Sequence, residues 1–311
     1  MPRRNRLRVL ELGIAWVAIA GCTEPARQSV PREPAAPPPG PMLRIRAGYV
    51  PPELRESSGV AVSRRHDGIL WSHNDSRNEN LLFATTLDGQ LRGTYLVVGA
   101  SNRDWEDIAL APCPDDPGDC LYIADTGDNG RRQPEVAIFV VPEPSPRPGD
   151  TARIRKTAPA EKWVIRYDDG PEDVEALAVA PDGEVLLVTK GRGGPVRLYA
   201  VNPAQISGDR ATSARLVREM DIAPLRLVGR WVTGAAMSPD GRRMVIRTYT
   251  ELFFYRFDVS GRWTRLGRPC FLGAVEPQGE GVDFLDGETL VLTSEAVPGR
   301  RGPITVVRCT P

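Results

Sequence analysis

Histidine is almost absent from this sequence of 311 residues, in which only His66 and His73 occur. No cysteine and histidine spacing typical of a zinc site is present, and neither is the G-x-S-x-G motif of α/β-hydrolases. Lys and Arg balance Asp and Glu at 40 each, without a dense basic run after residue 10. This argues against nucleic-acid binding, which needs a basic surface. Apolar runs stay below the roughly 18 residues of a membrane-spanning helix.

The first 22 residues have the layout of a secretory signal. Arginines at the start precede the short apolar stretch LGIAWVAIAGC, which ends in small residues. Its last four residues resemble the lipobox of bacterial lipoproteins, in which the cysteine is lipidated and becomes the N-terminus. We therefore expect a lipoprotein-type signal peptide at 1–21. Lipidated Cys22 would anchor the protein to the extracytoplasmic side of a bacterial membrane, in the periplasm or at the cell surface. An ordinary cleaved signal or an uncleaved anchor is the alternative.

A proline-rich segment follows Cys22. Seven prolines lie between Pro25 and Pro41. Such a composition forms a semi-rigid polyproline spacer of about 3 Å per residue rather than a packed core. We expect a linker over 22–41 and a globular domain over 42–311.

Four further cysteines lie in the expected globular domain. Cys113 and Cys120 flank the turn-rich loop PDDPGD, so a disulfide between them would close a hairpin. Cys270 and Cys309 would then pair by elimination. Four free thiols are the alternative, which fits an oxidising compartment less well.

Five segments repeat one pattern, a polar residue followed by a small residue or Asp and then a mostly apolar run. They are SSGVAVS at 57, WEDIALA at 105, VEALAVA at 174, VTGAAMS at 232 and GEGVDFL at 279. A turn follows each segment, and four of the five turns contain Asp-Gly, a strong hairpin signal. Two more β-rich runs follow in every unit, and the first four units have a fourth run.

The repeats predict an all-β fold, a β-propeller of five four-stranded blades. The fifth unit lacks its fourth strand, and MLRIRAGYV at 42–50 would supply it. That N-terminal strand would close the ring and remove its free edge. A six-bladed propeller is the alternative, if 142–161 or 203–230 holds further structure. A pair of β-sandwiches is a third possibility, but it leaves the repeat unexplained.

Polar side chains are expected on one face of the disc, because antiparallel strands reverse direction and so bring the start of strand one beside the end of strand two. The strand-one starts carry Ser58, Glu106, Glu175, Thr233 and Glu280. The strand-two ends carry His73, Asn74, Asp75, Asp125, Asp128, Asn129, Lys190, Arg192, Arg247, Tyr249, Ser294 and Glu295. We expect these groups to form a ligand site at the channel mouth. The alternative is a hydrated channel without a ligand, since Asp and Asn are also ordinary turn formers.

Three of these positions predict a metal ion. Glu106, Glu175 and Glu280 are equivalent in the repeat, so symmetry directs their carboxylates to one level. They repel one another unless some are protonated or a cation neutralises them. Ser58 and Thr233 complete a ring of oxygen donors, which favours calcium or magnesium over zinc or copper. A ring five blades wide leaves room for water ligands, which suits the loose coordination of calcium better than the octahedron of magnesium. We therefore expect one divalent cation, calcium, bound by the three glutamates.

The motifs HNDS, DWEDIA, YIADTGDN, VTGAAMSPDGRRMVIRTYTELFFY and QGEGVDF…LTSE together resemble a poorly characterised group of secreted bacterial β-propeller proteins. The resemblance covers about residues 50 to 310. The group is loosely similar to gluconolactonase-like and phytase-like propellers. In the gluconolactonase-like proteins, carboxylate and amide oxygens bind a calcium-type ion at the channel mouth, a role that falls by position on Glu106, Glu175 and Glu280. The acidic runs of phytase-like propellers are missing, which puts phytase activity in doubt.

Two functions of different class follow. The first is an envelope lipoprotein, expected to be monomeric, whose channel mouth binds a sugar, a small anionic molecule or a partner protein. The residues expected to bind this ligand are Asp75, Asp128, Asn129, Lys190, Arg192, Arg247, Tyr249 and Glu295. The alternative is a metal-assisted hydrolase of a small ester, lactone or phosphoester. His73 or Asp125 would then act as base, while Lys190 and Arg247 hold an anionic group. The sequence favours binding, because it shows no nucleophile–base pair.

Overall fold

The computed structural model describes residues 42–147, 150–208, 210–223, 228–257 and 262–309. The expected signal peptide, Cys22 and the whole proline-rich linker lie outside these residues. Within them the chain forms 21 β-strands and four short 3-10 helices. None of the described helices has the length and hydropathy needed to cross a membrane. The 3-10 helices are Pro52–Leu54, Asp150–Ala152, Pro203–Gln205 and Val228–Arg230.

The strands form five blades in chain order. Blade one contains β2 (Ser57–Val62), β3 (Leu70–Asn74), β4 (Leu81–Thr85), β5 (Leu91–Val98) and the added strand β9 (Arg155–Pro159). Blade two contains β6 (Trp105–Pro112), β7 (Asp119–Asp125), β8 (Val136–Pro142) and β10 (Glu161–Tyr167). Blade three contains β11 (Val174–Val179), β12 (Val185–Thr189), β13 (Arg197–Val201) and β14 (Thr212–Glu219). Blade four contains β15 (Val232–Met237), β16 (Arg243–Thr248), β17 (Glu251–Phe257) and β18 (Trp263–Phe271). Blade five contains β19 (Gln278–Phe284), β20 (Thr289–Glu295), β21 (Pro303–Cys309) and β1 (Met42–Tyr49).

The innermost strands close a ring of five. Strands β2, β6, β11, β15 and β19 contact one another in this order, and β19 contacts β2 again. The five-bladed propeller is therefore confirmed by the contacts of the inner strands. The outer strands of blades two and three, β10 and β14, pair in parallel and join these two blades into one eight-stranded sheet. The insertion at 142–161 does not hide a sixth blade, because its strand β9 pairs in parallel with β5 of blade one.

The N-terminal strand closes the last blade, as predicted. It runs antiparallel to β21, with Met42 opposite Cys309 and Tyr49 opposite Pro303. Its end also packs on the β4–β5 turn of blade one. Gly89 of that turn has φ +85° and lies so close to the Tyr49 carbonyl that a side chain there would collide with it. The strand thus covers the edge of β21 and joins blade five to blade one.

The middle strands are apolar on both faces because each blade is covered by a neighbour on either side. On β7, Leu121 and Ile123 pack in the core shared with blade one, whereas Tyr122 and Ala124 pack in the core shared with blade three. This alternation follows from the period of two in a strand. It explains why these segments are continuous hydrophobic runs in the sequence.

Both expected disulfides are present. Cys113 and Cys120, with Cα atoms 4.9 Å apart, close the β6–β7 hairpin. Cys270 on β18 and Cys309 on β21, with Cα atoms 6.4 Å apart, join blade four to blade five. The second bond therefore adds a covalent link next to the place where β1 completes the ring.

Candidate functional site at the channel mouth

Small residues line the axis of the propeller just inside the mouth. Gly59, Ala176, Gly234 and Gly281 occupy equivalent places on their inner strands. A Cβ atom on Gly234 would lie 2.8 Å from the Glu280 carbonyl oxygen, too close for any real contact. The five inner strands approach so closely here that only small side chains fit.

Asp107 is the exception at this level, and its carboxylate ties three inner strands together. The side chain is fully buried. Its Oδ1 accepts a hydrogen bond from the Ile108 amide at 2.9 Å. Its Oδ2 accepts from the Leu177 amide of β11 at 2.9 Å and from the Ala235 amide of β15 at 3.1 Å. Asp107 is therefore a structural residue of the axis and not an open ligand.

The hydroxyl groups at the strand starts also join neighbouring blades. Ser58 Oγ donates to the Glu106 carbonyl at 2.7 Å, and Thr233 Oγ1 donates to the Glu280 carbonyl at 3.2 Å. Both side chains are buried. They bind backbone across a blade boundary, which accounts for their presence without a metal ion.

The three glutamates of the expected metal ring have different partners. Lys190 Nζ lies 2.5 Å from Glu175 Oε1, and both groups are buried. Tyr249 donates its hydroxyl to Glu280 Oε1 at 3.1 Å. Glu106 accepts no side-chain hydrogen bond from the described residues. The ring expected from symmetry is thus divided, because Lys190 and Tyr249, at the ends of second strands, reach two of its members.

Glu106 instead groups with two aspartates. Ligand oxygens of Asp75, Asp104 and Glu106 all lie within 4.8 Å of one another. Asp75 follows β3, while Asp104 directly precedes β6, on which Glu106 is the second residue. A Cβ atom on Gly127 would collide with the carboxylates of Asp104 and Glu106, so this glycine of the DTGDN motif leaves space beside them.

Burial controls the ionisation of these acids. It raises the pKa of Asp104 to about 6, with the neighbouring carboxylate of Asp75 adding to the effect. It raises the pKa of Glu106 well above its usual range, and Glu175 and Asp75 reinforce the shift. Burial also raises the pKa of Glu280 to about 7 and that of Glu295 to about 9. Acids in this state need either protons or a cation.

Lys190 is a cation that is paired directly with an acid of the mouth, Glu175. Burial lowers its pKa, but the carboxylates of Glu175 and Glu106 outweigh burial and raise it. Its charge is therefore retained and is shared between two acids. Carboxyl groups still outnumber it: they are Asp75, Asp104, Glu106, Glu175, Glu280 and Glu295. The channel mouth is therefore expected to bind a cation directly. An anionic ligand would bind there only by contacting a bound cation.

The two candidate bases do not lie open to the mouth. His73 is fully buried against Trp105, with ring centroids 5.4 Å apart, and burial lowers its pKa to about 4. Asp125 is buried, and its Oδ1 accepts from the backbone amides of Arg103 at 3.2 Å and Asp104 at 2.7 Å. Asp125 thereby positions the loop that carries Asp104.

The expected anion-binding arginines are engaged elsewhere. Arg247 is fully buried, donates from Nη1 to the Gly281 carbonyl at 2.5 Å and the Thr293 carbonyl at 2.8 Å, and forms an ion pair with Glu276. Arg192 is exposed and stacks on Trp231, with its guanidinium carbon 4.4 Å from the ring centroid. Neither guanidinium forms an ion pair with an acid of the mouth among the described residues, although the charge of Arg247 lowers the pKa of Glu280.

The remaining expected ligand residues divide between the mouth and its rim. Glu295 accepts from Gln278 Nε2 at 2.8 Å, next to Glu280. Asp128 accepts from the amides of Arg132 and Gln133 and shapes the turn after β7. Asn129 is exposed. Asp104 was not among the sequence candidates, although it is the first acid of DWEDIAL.

No protein-family model matches the chain, and no curated protein matches it either. Among solved structures the chain is similar to the PQQ-bound aldose sugar dehydrogenase of Streptomyces coelicolor, at 13% identity, 88% coverage of this chain, 100% of that chain and a TM-score of 0.49. It is also similar to a streptogramin B lyase, at 8% identity, 86% and 98% coverage and a TM-score of 0.42. Likenesses this distant indicate nothing about activity.

Proposed function

We propose that the protein is a ligand-binding β-propeller whose channel mouth holds a calcium ion at Asp75, Asp104 and Glu106. The observation that carries the proposal is the approach of three carboxylates within 4.8 Å. Glu106 is only 6% exposed. Among the described residues, no hydrogen-bond donor contacts the carboxylate of Asp104 or Glu106. The three carboxylates are thus brought together, with the Ser76 amide donating to Asp75 Oδ1 and no described donor on the other two.

A cation is the less costly way to neutralise this group. Keeping one glutamate protonated at pH 7 requires a shift of about 3 pH units from a reference near 4.3, or about 4 kcal/mol. Three carboxylates supply only oxygen ligands, which hard cations prefer. Calcium accepts six to eight such ligands. Coordination positions on the calcium ion would therefore remain for oxygen atoms of a bound sugar, small anionic molecule or peptide.

Thermal unfolding of the full-length protein in calcium and in chelator tests the proposal. Calcium at about 100 times its dissociation constant should stabilise the fold by about 2.7 kcal/mol, which raises Tm by roughly 5 to 10 °C for a domain of this size. Glu106→Gln and Asp104→Asn should abolish the shift. Glu175→Gln should only weaken it, because Glu175 is already paired with Lys190.

Glu219→Gln is the matched control, since Glu219 is an exposed acid on β14. It should retain the full calcium shift. Equal calcium shifts in the parent, Glu106→Gln and Asp104→Asn chains would contradict the site. Equal loss in Glu106→Gln and Glu175→Gln would instead favour the symmetric ring of three glutamates.

A second candidate function, metal-assisted hydrolysis, is favoured by one observation. Burial raises the pKa of Glu280 to about 7, and its carboxylate accepts a hydrogen bond from Tyr249. A carboxyl group that titrates near neutrality can exchange a proton with a substrate. Glu280 thus replaces His73 and Asp125 as the candidate base. Turnover of small esters, lactones or phosphoesters with added divalent cation, lost in Glu280→Gln while calcium still binds, would support this function. If none of these esters, lactones or phosphoesters is turned over, ligand binding remains the one proposed function.

We also propose that the mature chain begins at a lipidated Cys22 and is anchored at a bacterial membrane, facing away from the cytoplasm, as a monomer. The lipobox-like ending of the first 22 residues supports the anchor. The disulfides Cys113–Cys120 and Cys270–Cys309 support an oxidising compartment, because such bonds are rare in the cytoplasm.

A further inference from the structure

A basic groove lies on blade five, apart from the acidic channel mouth. It has a volume of about 410 Å³ and lies between the β18–β19 loop, the β20–β21 loop and the end of β1. Arg46, Arg300 and Arg301 line it together with Tyr49, Val275 and Pro303. No acidic side chain contributes to this lining. The groove therefore concentrates three positive charges in one concave surface.

The three guanidinium groups keep most of their hydrogen-bonding capacity. Arg46 Nη1 donates to the Tyr49 hydroxyl at 2.8 Å. Arg300 Nη2 donates to the Val275 carbonyl at 2.9 Å, and Arg301 Nη2 donates to the Val50 carbonyl at 3.4 Å. None of them forms an ion pair with a carboxylate of the described chain. Since a guanidinium carries five N–H donors, each retains several for a ligand.

Two nearby arginines, unlike those of the groove, are neutralised by a carboxylate. Arg44, two residues before Arg46 on β1, forms an ion pair with Glu276 at 3.0 Å and donates to the Leu272 carbonyl at 2.9 Å. Arg247 pairs with the other oxygen of the same glutamate. Glu276 thus neutralises arginines that hold the blades together, and it does not reach the groove arginines.

Tyr49 holds two of the groove arginines in place. The guanidinium carbon of Arg301 lies 4.9 Å from the centroid of its ring, and that of Arg46 lies 5.3 Å from it. Cation–π contacts of this kind fix the direction of a flexible side chain. Two guanidinium groups are therefore arranged before any ligand binds, which lowers the entropic cost of binding.

We propose that this groove binds a phosphate group, carried either by a small soluble phosphate or by a phospholipid headgroup. A phosphate monoester carries a charge of about −1.5 to −2 at pH 7 and three acceptor oxygens. Guanidinium forks match these oxygens in bidentate geometry. A phosphate can engage all three arginines, whereas a single carboxylate offers one charge and two oxygens. The site is independent of the proposed calcium ion.

The test compares variants of the full-length chain in a Cys22→Ser background, so that no acyl group contributes. Inorganic phosphate is titrated by calorimetry, and vesicles of phosphatidic acid, whose headgroup is a phosphate monoester, and of phosphatidylcholine are tested by co-sedimentation. Arg300→Gln combined with Arg301→Gln should weaken binding at least about tenfold, because charge-assisted hydrogen bonds are lost. Tyr49→Leu should also weaken binding, although it removes no charge.

Arg215→Gln combined with Arg256→Gln is the control, since both are exposed strand arginines away from the groove and the change in net charge is the same. It should bind like the parent. Binding of free phosphate identifies a soluble ligand, and binding of vesicles alone identifies a headgroup; both support the groove. Absence of binding in the parent, or equal loss in the two double variants, would overturn the proposal. A Tyr49→Leu chain that binds like the parent would overturn the part assigned to the ring.

Discussion

Removing the Asp107 carboxylate should destabilise the propeller more than any other single change at the axis. The buried side chain accepts hydrogen bonds from the Ile108, Leu177 and Ala235 amides, which belong to three different inner strands. Asp107→Ala leaves these amides without their acceptor in a fully buried place. A buried donor that loses its partner costs about 1 to 3 kcal/mol.

The expected loss is therefore about 2 to 6 kcal/mol from the two amides on β11 and β15 alone, the lower value applying if water enters the space. For a domain of this size, that corresponds to a Tm lower by roughly 5 to 20 °C. Urea unfolding followed by tryptophan fluorescence measures the free energy directly, and differential scanning calorimetry measures the Tm.

Asp107→Asn serves as the matched comparison. Its amide oxygen can still accept from Leu177 and Ala235, while its NH2 group faces the Ile108 amide. We expect a smaller loss, about 1 to 3 kcal/mol. A loss below about 0.5 kcal/mol in Asp107→Ala, typical of a surface substitution, would refute the role assigned to this carboxylate.

Three further predictions concern the anchor, the closure and the pH dependence. Cys22→Ser should release the protein from membranes or leave it unprocessed, and unchanged membrane partitioning of a processed variant would contradict the anchor. Deletion through residue 50 should cause aggregation by exposing the β21 edge, whereas deletion through residue 40 should be tolerated; light scattering compares them. In the presence of chelator, Tm should fall as pH rises from about 5 to 9. The reason is that the native state holds protons on Glu280 and Glu295 that the unfolded state has already released. A Tm that does not change with pH would contradict the raised pKa values.

The fold could be predicted from the sequence because its signals are local and repeated. A polar residue, a small residue and an apolar run recur five times, and each recurrence is followed by a turn. The number of repeats sets the number of blades, and the missing fourth strand of the last unit points to 42–50. The β9 strand was not predicted as part of blade one, because its segment lies outside the repeated pattern and pairs with β5, which is distant in the sequence.

The partners at the channel mouth could not be predicted in the same way. Alignment places Glu106, Glu175 and Glu280 at one level, but it does not show how far a neighbouring side chain reaches. Lys190 is long enough to bind Glu175. Arg247, from blade four, turns to backbone carbonyls of blade five and to Glu276.

Asp104 was missed for a related reason. It precedes the first strand of blade two, one residue before the aligned segment WEDIALA begins, and Glu56 and Asp173 hold the same place in blades one and three. Only the loop held by Asp125 brings it beside Glu106. Its signal in the sequence was the acidic pair that flanks Trp105.

The most direct test of the account is a calcium titration of metal-free, full-length protein by isothermal calorimetry, together with Glu106→Gln and Asp104→Asn. We predict one calcium ion per parent chain, a loss of binding in both variants, and retained binding in the Glu219→Gln control. A metal-free parent that binds no calcium, or variants that bind it with the stoichiometry and affinity of the parent, would contradict the proposed site at Asp75, Asp104 and Glu106.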